Sequence, residues 1–297
     1  MSIGLLAGCN QPNVTLVDHR VIWDRAPHNA FTDLCWWRGE WWCCFREADR
    51  HDGNCIGSIR VLRSRDGANW VDKIRLRYSG IDLRDPKLSV TPDDRLMLTV
   101  GPQSRVAFLA NPREGFGPLR RTIPTGWLWR VTWINGVGYG FSYAKDGDPL
   151  TLWKTTDGLL YDKVADVAIP GRPTEATICQ YGEVQNAVVR REGGDRAAWI
   201  GSRVLPDTGW KWDSLGVHIG GPNAIRLPDG RLIISGRINE RMVLAESRGE
   251  GLYHLLTLPS GGDCGYAGMV WHDGVLWMTY YSSHEGKAKI YLAKVKL

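Results

Sequence analysis

The sequence predicts an all-β fold, a six-bladed β-propeller of four-stranded antiparallel blades, and three observations point to it. Few stretches carry the i, i+3, i+4, i+7 apolar spacing of a helix, whereas short apolar runs bounded by Gly, Pro, Asp and Asn are common. The segments RGEWW, TPDDRL, INGVGY, LPDGRL and HDGVLW read as hairpin turns inside such runs. Aligned on these turns, the chain repeats with a period of about 45 residues, the size of a propeller blade.

Six units follow in order. They open with FTDLCWWRGEWWCCFR (31–46), DPKLSVTPDDRLMLTV (85–100), WRVTWINGVGYGFSY (129–143), EATICQYGEVQNAVVRR (175–191), PNAIRLPDGRLIISGR (222–237) and YAGMVWHDGVLWMTYY (266–281), each a strand, a tight turn and a strand. A weaker strand pair follows each one: SIRVLRSRDGANW, VAFLANPREGFGPL, LTLWKTTDGLLYDKV, AAWIGSRVLPDTGWKW, MVLAESRGEGLYHLL and KIYLAKVKL. The last pair lacks its closing strand, and NVTLVDHRVIW (13–23) is the spare strand that supplies it. Closing the ring in this way removes an exposed sheet edge. The expectation is one propeller domain over residues 1–297, with residues 1–12 as a short N-terminal extension.

Composition narrows the function classes. The chain has 297 residues, 43% hydrophobic and 23% charged, with no run of about 18 apolar residues that would span a membrane. A net charge of +5 spread along the chain is no nucleic-acid footprint; the arginines suggest an anionic substrate. Seven cysteines are an odd set without regular spacing, and adjacent Cys43 and Cys44 point to opposite strand faces, so no disulfide framework is expected. A reducing, cytoplasmic setting fits. The LAGC at 6–9 resembles a lipoprotein cleavage box, but MSIGLLAG lacks the basic and apolar regions of a signal.

First strands of blades line a central channel, so equivalent positions converge in space. At the starts of first strands stand Asp33, Arg84 with Asp85, Arg130, Glu175, Asn223 and Tyr266; at the ends of second strands stand Arg46 with Glu47, Tyr143, Arg190 with Arg191, Arg237 and Tyr281. All belong to one end of the hairpins, among walls expected from Trp36, Trp37, Trp129, Trp133 and Trp277. Arginines grip carboxylates or phosphates by bidentate hydrogen bonds. Carboxylates in a partly desolvated site supply the acid and base of glycosidic cleavage. The set suits an acidic sugar. Arg84 with Asp85 also reads as a loop tie, and Glu175 and Tyr266 as bonds between blades. Trp41, Trp42, Trp271 and Trp277 read as packing between blades.

No metal site or cofactor is expected. His218, His254 and His272 have no ligand spacing, and HExxH, paired CxxC, P-loop and GxSxG motifs do not occur.

The turns SRDGANW (64–70) and TTDGLLY (155–161) resemble the Asp-box, Ser/Thr-x-Asp-x-Gly-x-x-Trp/Phe, each one residue short. From about residue 28 to its end the chain resembles the sialidase superfamily of six-bladed exo-glycosidases. The resemblance implies Tyr266 as nucleophile, Glu175 as the carboxylate that activates it, and Arg190 as a ligand of the substrate carboxylate, with Arg237 or Arg241 as another. It breaks down in the first blade. Sialidases open with Phe-Arg-Ile-Pro, whereas this chain has FTDL, with Asp33 where a cation is expected. The loop that carries the general acid in that superfamily corresponds to READRHDGNCIGS, which offers Glu47, Asp49, His51 and Asp52.

The expected function is therefore an exo-glycoside hydrolase that removes a terminal sialic, ulosonic or uronic acid from a glycan. Asp33, Glu47 and Asp85 are candidate acid/base carboxylates, and Tyr266 with Glu175 the candidate nucleophile pair. Arg46, His51, Arg84, Arg130, Arg190, Asn223, Arg237 and Tyr281 are candidate substrate ligands. An inverting mechanism through two carboxylates and a water stays open. So do a neutral-sugar, arabinanase-like propeller glycosidase and a non-catalytic carbohydrate-binding propeller.

Overall fold

The computed structural model describes residues 13–52, 55–144, 149–207, 209–249 and 251–297. Every regular element among them is a strand, and the strands form six four-stranded antiparallel sheets arranged in a ring. β1 (Thr15–Trp23) precedes blade 1, which holds β2 (His28–Trp37), β3 (Glu40–Ala48), β4 (Ser58–Ser64) and β5 (Val71–Leu76). Blade 2 is β6 (Arg84–Val90), β7 (Leu96–Gly101), β8 (Arg105–Leu109) and β9 (Arg120–Arg121). Blade 3 is β10 (Trp127–Ile134), β11 (Val137–Tyr143), β12 (Leu150–Thr155) and β13 (Asp162–Val167). Blade 4 is β14 (Pro173–Tyr181), β15 (Val184–Arg191), β16 (Trp199–Val204) and β17 (Lys211–Ser214). Blade 5 is β18 (Gly220–Arg226), β19 (Leu232–Ile238), β20 (Arg241–Arg248) and β21 (Gly251–Thr257). Blade 6 is β22 (Cys264–His272), β23 (Val275–Ser282) and β24 (Lys289–Lys296), with β1 as its outer strand.

The closure expected from residues 13–23 is present. β1 runs antiparallel to β24 from Thr15 opposite Lys296 to Trp23 opposite Ile290. Where the chain passes from blade 6 to blade 1, the amide and side chain of Asn29 donate to the Ala288 carbonyl at 3.2 and 2.9 Å.

Stability comes from apolar contact between neighbouring blades. Inner strands are buried on both faces and so read as nearly continuous apolar runs, while outermost strands such as β5 hold only exposed and half-buried residues. Between blades 6 and 1 the Trp41 and Trp277 rings stack at 4.1 Å in a cluster with Phe31, Phe45 and Tyr281. Trp37 and Trp42, tilted to each other with centroids 5.6 Å apart, join the cluster between blades 1 and 2. The innermost strands approach so closely that a Cβ on Gly268 would lie 2.2 Å from the Leu34 nitrogen, so only glycine fits there.

The turns 64–70 and 155–161 share one hydrogen-bond pattern. The Asp66 carboxylate accepts from the amides of Ala68 and Asn69, and Asp157 from those of Leu159 and Leu160. Both turns lie at the opposite end of the blades from the polar cluster described below. Among the described residues the cysteines are free and buried, and no helix is long and apolar enough to cross a membrane. The LAGC at 6–9 lies outside the described residues.

Candidate active site

One backbone irregularity, repeated in every blade, builds the site. Pairing between first and second strands slips between Ala30 and Asp33, Arg84 and Lys87, Leu128 and Val131, Pro173 and Ala176, Gly220 and Asn223, and Gly265 and Gly268. Each slip frees two residues from the ladder: Phe31-Thr32, Asp85-Pro86, Trp129-Arg130, Thr174-Glu175, Gly221-Pro222 and Tyr266-Ala267. Such bulges re-aim side chains and are frequent beside active sites. Phe31, Asp85, Gly221 and Tyr266 adopt φ of +63°, +49°, +59° and +57° there. For the non-glycines this costs on the order of 1–3 kcal/mol each, held by the surrounding packing.

The freed residues form the floor of the mouth. The Tyr266 hydroxyl donates to Glu175 Oε1 at 2.6 Å, and Arg190 Nη1 donates both to that oxygen at 2.8 Å and to the Tyr266 hydroxyl at 3.2 Å. The Gly221 amide donates to Glu175 Oε2 at 2.9 Å, so both carboxylate oxygens are oriented. A Cβ on Gly221 would lie 2.9 Å from the Tyr266 ring. Trp129 and Phe31 flank that ring at 5.7 and 5.1 Å between centroids. Burial, and then the Glu175 charge, push the Tyr266 phenol well above its ordinary range, so it rests as a neutral phenol.

Asp85 lies on the same floor, 8% exposed, with Oδ1 lacking a hydrogen-bond partner among the described residues. Burial pushes its carboxyl up to about 6, against the pull of Lys87 and Arg84 and with a further push from Glu175. Lys87 is a residue that sequence reasoning missed, because lysine is ordinarily a surface residue. It is buried, its ammonium lies 4.8 Å from the Trp129 ring centre and 5.6 Å from that of Tyr266, and desolvation, then Arg130, lower its pKa.

Several expectations are corrected. Asp33 is fully buried one step below the floor, where Arg130 grips it bidentately at 2.9 Å through both terminal nitrogens and the Leu88 amide donates to it at 2.8 Å. It ties three blades together and is unavailable as an acid or base, and its pairing also removes Arg130 as a ready anion ligand. Glu47 faces away from the channel, accepting from Trp23 Nε1 at 2.7 Å and from Arg60 at 2.7 and 3.0 Å. Arg46 is buried and donates to both oxygens of Asp82 at 2.7 and 3.0 Å. Asn223 joins Thr177 of blade 4 to the Ala267 carbonyl of blade 6. Tyr281 is fully buried behind the floor. Of the five tryptophans expected as walls, only Trp129 is at the mouth; Trp36, Trp37, Trp133 and Trp277 sit towards the opposite turns.

Besides Arg190, two expected arginines remain at the mouth. Arg84 stands 4.9 Å over the Phe31 ring and 3.6 Å from Asp82. Arg237 donates to the Cys264 carbonyl at 3.0 Å, has no carboxylate within ion-pair distance among the described residues, and lines a cavity of about 380 Å³ with Arg196, His218, Asn239 and Glu240. A larger cavity of about 600 Å³, lined by Asn186, Ser202, Asp213, Arg226 and Leu252, opens between the outer parts of blades 4 and 5, away from this chemistry.

At the rim, His51 Nδ1 and His28 Nε2 donate to the same Asp263 oxygen at 2.7 and 2.8 Å, and the Tyr281 hydroxyl donates to the other at 2.8 Å. These bonds outweigh burial and hold the Asp263 carboxyl well below the usual carboxylate range. The three donor atoms lie within 4.8 Å of one another, the spread of a candidate cation site. Both imidazoles are already committed to one carboxylate oxygen, and buried His28 Nδ1 lacks the outward hydrogen bond that metal-bound imidazoles carry. The arrangement is that of a hydrogen-bonded cluster.

No family model and no curated protein matches the sequence. Solved structures do resemble the fold. A protein of unknown function from Dyadobacter fermentans superposes with a TM-score of 0.83 at 17% identity, covering 96% of this chain and all of that one. Trypanosoma rangeli sialidase superposes with a TM-score of 0.69 at 11% identity over 95% of this chain, which spans 59% of that enzyme. A β-1,3-galactosidase of glycoside hydrolase family 43 superposes with a TM-score of 0.54 at 12% identity over 76% of this chain and 93% of its own. At these identities the likeness establishes the six-bladed propeller and nothing finer.

Proposed function

We propose that the chain is an exo-glycoside hydrolase that removes a terminal acidic sugar from a glycan, with Tyr266 as nucleophile and Glu175 as the base that activates it. One observation carries the reading: the 2.6 Å bond from the Tyr266 hydroxyl to Glu175, bridged by Arg190. A phenol is a poor nucleophile at neutral pH unless a neighbouring base takes its proton as it attacks. Glu175 is placed to do that, and Arg190 is placed to stabilise the negative charge passing between the two oxygens. Attack by Tyr266 on the anomeric carbon followed by attack of water gives two inversions and net retention. Arg190 and Arg237 supply cations for the substrate carboxylate. Asp85, protonated below about pH 6, supplies a hydrogen-bond donor on the floor for a sugar hydroxyl.

A second reading, a neutral-sugar glycosidase, draws support from pairing: Arg46, Arg130 and Arg190 are each matched by a carboxylate. The solved neighbours include both a sialidase and a galactosidase. A screen of aryl glycosides of sialic, ulosonic, uronic and neutral sugars, with NMR of the anomer first released, separates the two. Turnover confined to acidic sugars with retention supports the proposal, and turnover confined to neutral sugars overturns it.

A further inference from the structure

The rim cluster has an asymmetry that the floor does not explain. Asp263 is ionised and accepts only, so the facing nitrogens, His28 Nε2 and His51 Nδ1, both carry hydrogen. Any further proton must go to the opposite nitrogen of one ring. In His28 that nitrogen, Nδ1, is buried without a partner, out of reach of solvent and substrate. In His51 it is Nε2, which makes no hydrogen bond among the described residues, on a side chain 41% exposed at the mouth. The His51 and Tyr266 rings each pack edge-on to Phe31 at 5.1 Å between centroids. The exchangeable nitrogen therefore belongs to the same mouth as the nucleophile.

From this geometry we infer that His51 is the general acid/base of the reaction and that Asp263 is its positioning residue, held in turn by His28 and Tyr281. This rests on the glycosidase reading above. In an exo-acting site the terminal sugar occupies the floor and the leaving group points outward, so the group that protonates it belongs at the rim. Asp85, nearly buried among Arg84, Lys87 and Glu175, faces the sugar; His51 faces the departing oxygen.

The steps balance. Imidazolium His51 gives its Nε2 proton to the glycosidic oxygen as the bond to the anomeric carbon breaks, and the bonding pair leaves on that oxygen as a hydroxyl. Tyr266 oxygen bonds the anomeric carbon while its proton passes to Glu175. Neutral His51 then takes a proton from water, whose oxygen displaces Tyr266, and Glu175 returns the proton to the phenolate. The net reaction is hydrolysis, with all three residues restored. Asp263 keeps the imidazole in the Nδ1–H form and fixes its orientation.

The test uses the whole protein and acidic-sugar glycosides with leaving groups from dinitrophenol to a simple alcohol. For His51→Gln, kcat/KM should fall about 10²–10⁴-fold with the alcohol and much less with dinitrophenol, which departs without protonation. Asp263→Asn should show a weaker slope of the same sign, which a purely structural defect would not produce. Equal loss across the series for His51→Gln, or the steep slope appearing in Asp85→Asn instead, overturns the inference. So does wild-type activity that is lost on chelation and restored by Zn²⁺, which would make the cluster a metal site. Nitrogen-15 NMR of His51 in the wild-type protein tests the dyad without turnover: neutral His51 should be the Nδ1–H tautomer, and the Nε2–H tautomer contradicts the dyad. Absence of turnover on every acidic glycoside overturns the glycosidase reading, and with it the acid role, while the NMR result still decides the dyad.

Discussion

Tyr266 and Glu175 are 91 positions apart in the chain, yet they share a 2.6 Å hydrogen bond at the propeller mouth. Both sit where the first strand of a blade slips against the second, so the backbone irregularity of two separate blades aims them at each other. If they act as a nucleophile and its base, Tyr266→Phe and Glu175→Gln should each lower kcat by about 10²–10⁴-fold. The double variant should be little worse than the poorer single one, because each residue is useless without the other. Steady-state kinetics on an aryl glycoside would check this; independent, multiplicative losses would mean that the pair is not a unit.

Arg237 is a mouth arginine without a carboxylate partner among the described residues, so its charge is available to an anionic substrate. Arg237→Met should raise KM for an acidic sugar about tenfold to a hundredfold, the worth of one charge-assisted hydrogen bond, with kcat changed far less. Unchanged KM would remove Arg237 from the binding site.

Asp85 couples the floor to pH. Its folded pKa is raised, to about 6 from 3.8, so between these values the folded state holds more protons than the unfolded one. Its favourable contribution is complete below pH 3.8 and is lost as pH rises through about 6. Asp85→Asn keeps the shape without the charge. Relative to wild type it should gain up to about 3 kcal/mol between pH 4 and pH 7, measured by urea denaturation across that range. A difference that does not grow with pH would show that Asp85 ionises without cost.

Asp33 and Arg130 are read as structural. Arg130→Met leaves a fully buried carboxylate without its cation and should cost about 3–5 kcal/mol. Adding Asp33→Asn should recover much of that loss, because the uncompensated charge is gone. Urea midpoints of the single and double variants decide the matter, and a double variant no more stable than Arg130→Met contradicts the pairing.

Most of the architecture was legible because hairpin turns recur at a fixed spacing and each unit is built from the same apolar pair of strands. The spare segment 13–23 announced the ring closure because the last unit was one strand short. The convergence of Glu175, Arg190, Arg237 and Tyr266 followed from equivalent positions in the repeat. What could not be read was the depth of each side chain. The slip at each strand start decides which of two or three adjacent residues faces the mouth, so Phe31 and Thr32 are on the floor of blade 1 and Asp33 lies beneath it. Partners from outside the hairpins were also hidden: Arg60 for Glu47 comes from the third strand of the same blade, and Asp82 for Arg46 and Asp263 for His51 come from connections between blades. A buried lysine such as Lys87 leaves no sequence signal, because its burial depends on Trp129 and Tyr266 from two other blades.

In the proposed reaction the Tyr266 oxygen bonds the sugar. Incubating the protein with a 2,3-difluoro derivative of an acidic sugar it turns over, followed by peptide mapping by mass spectrometry, tests it most directly. Such a compound slows release of the glycosyl enzyme. One added sugar is expected on the peptide that contains Tyr266, and none in Tyr266→Phe. An adduct on Asp85 or Glu175, or no adduct together with release of the inverted anomer, would contradict it.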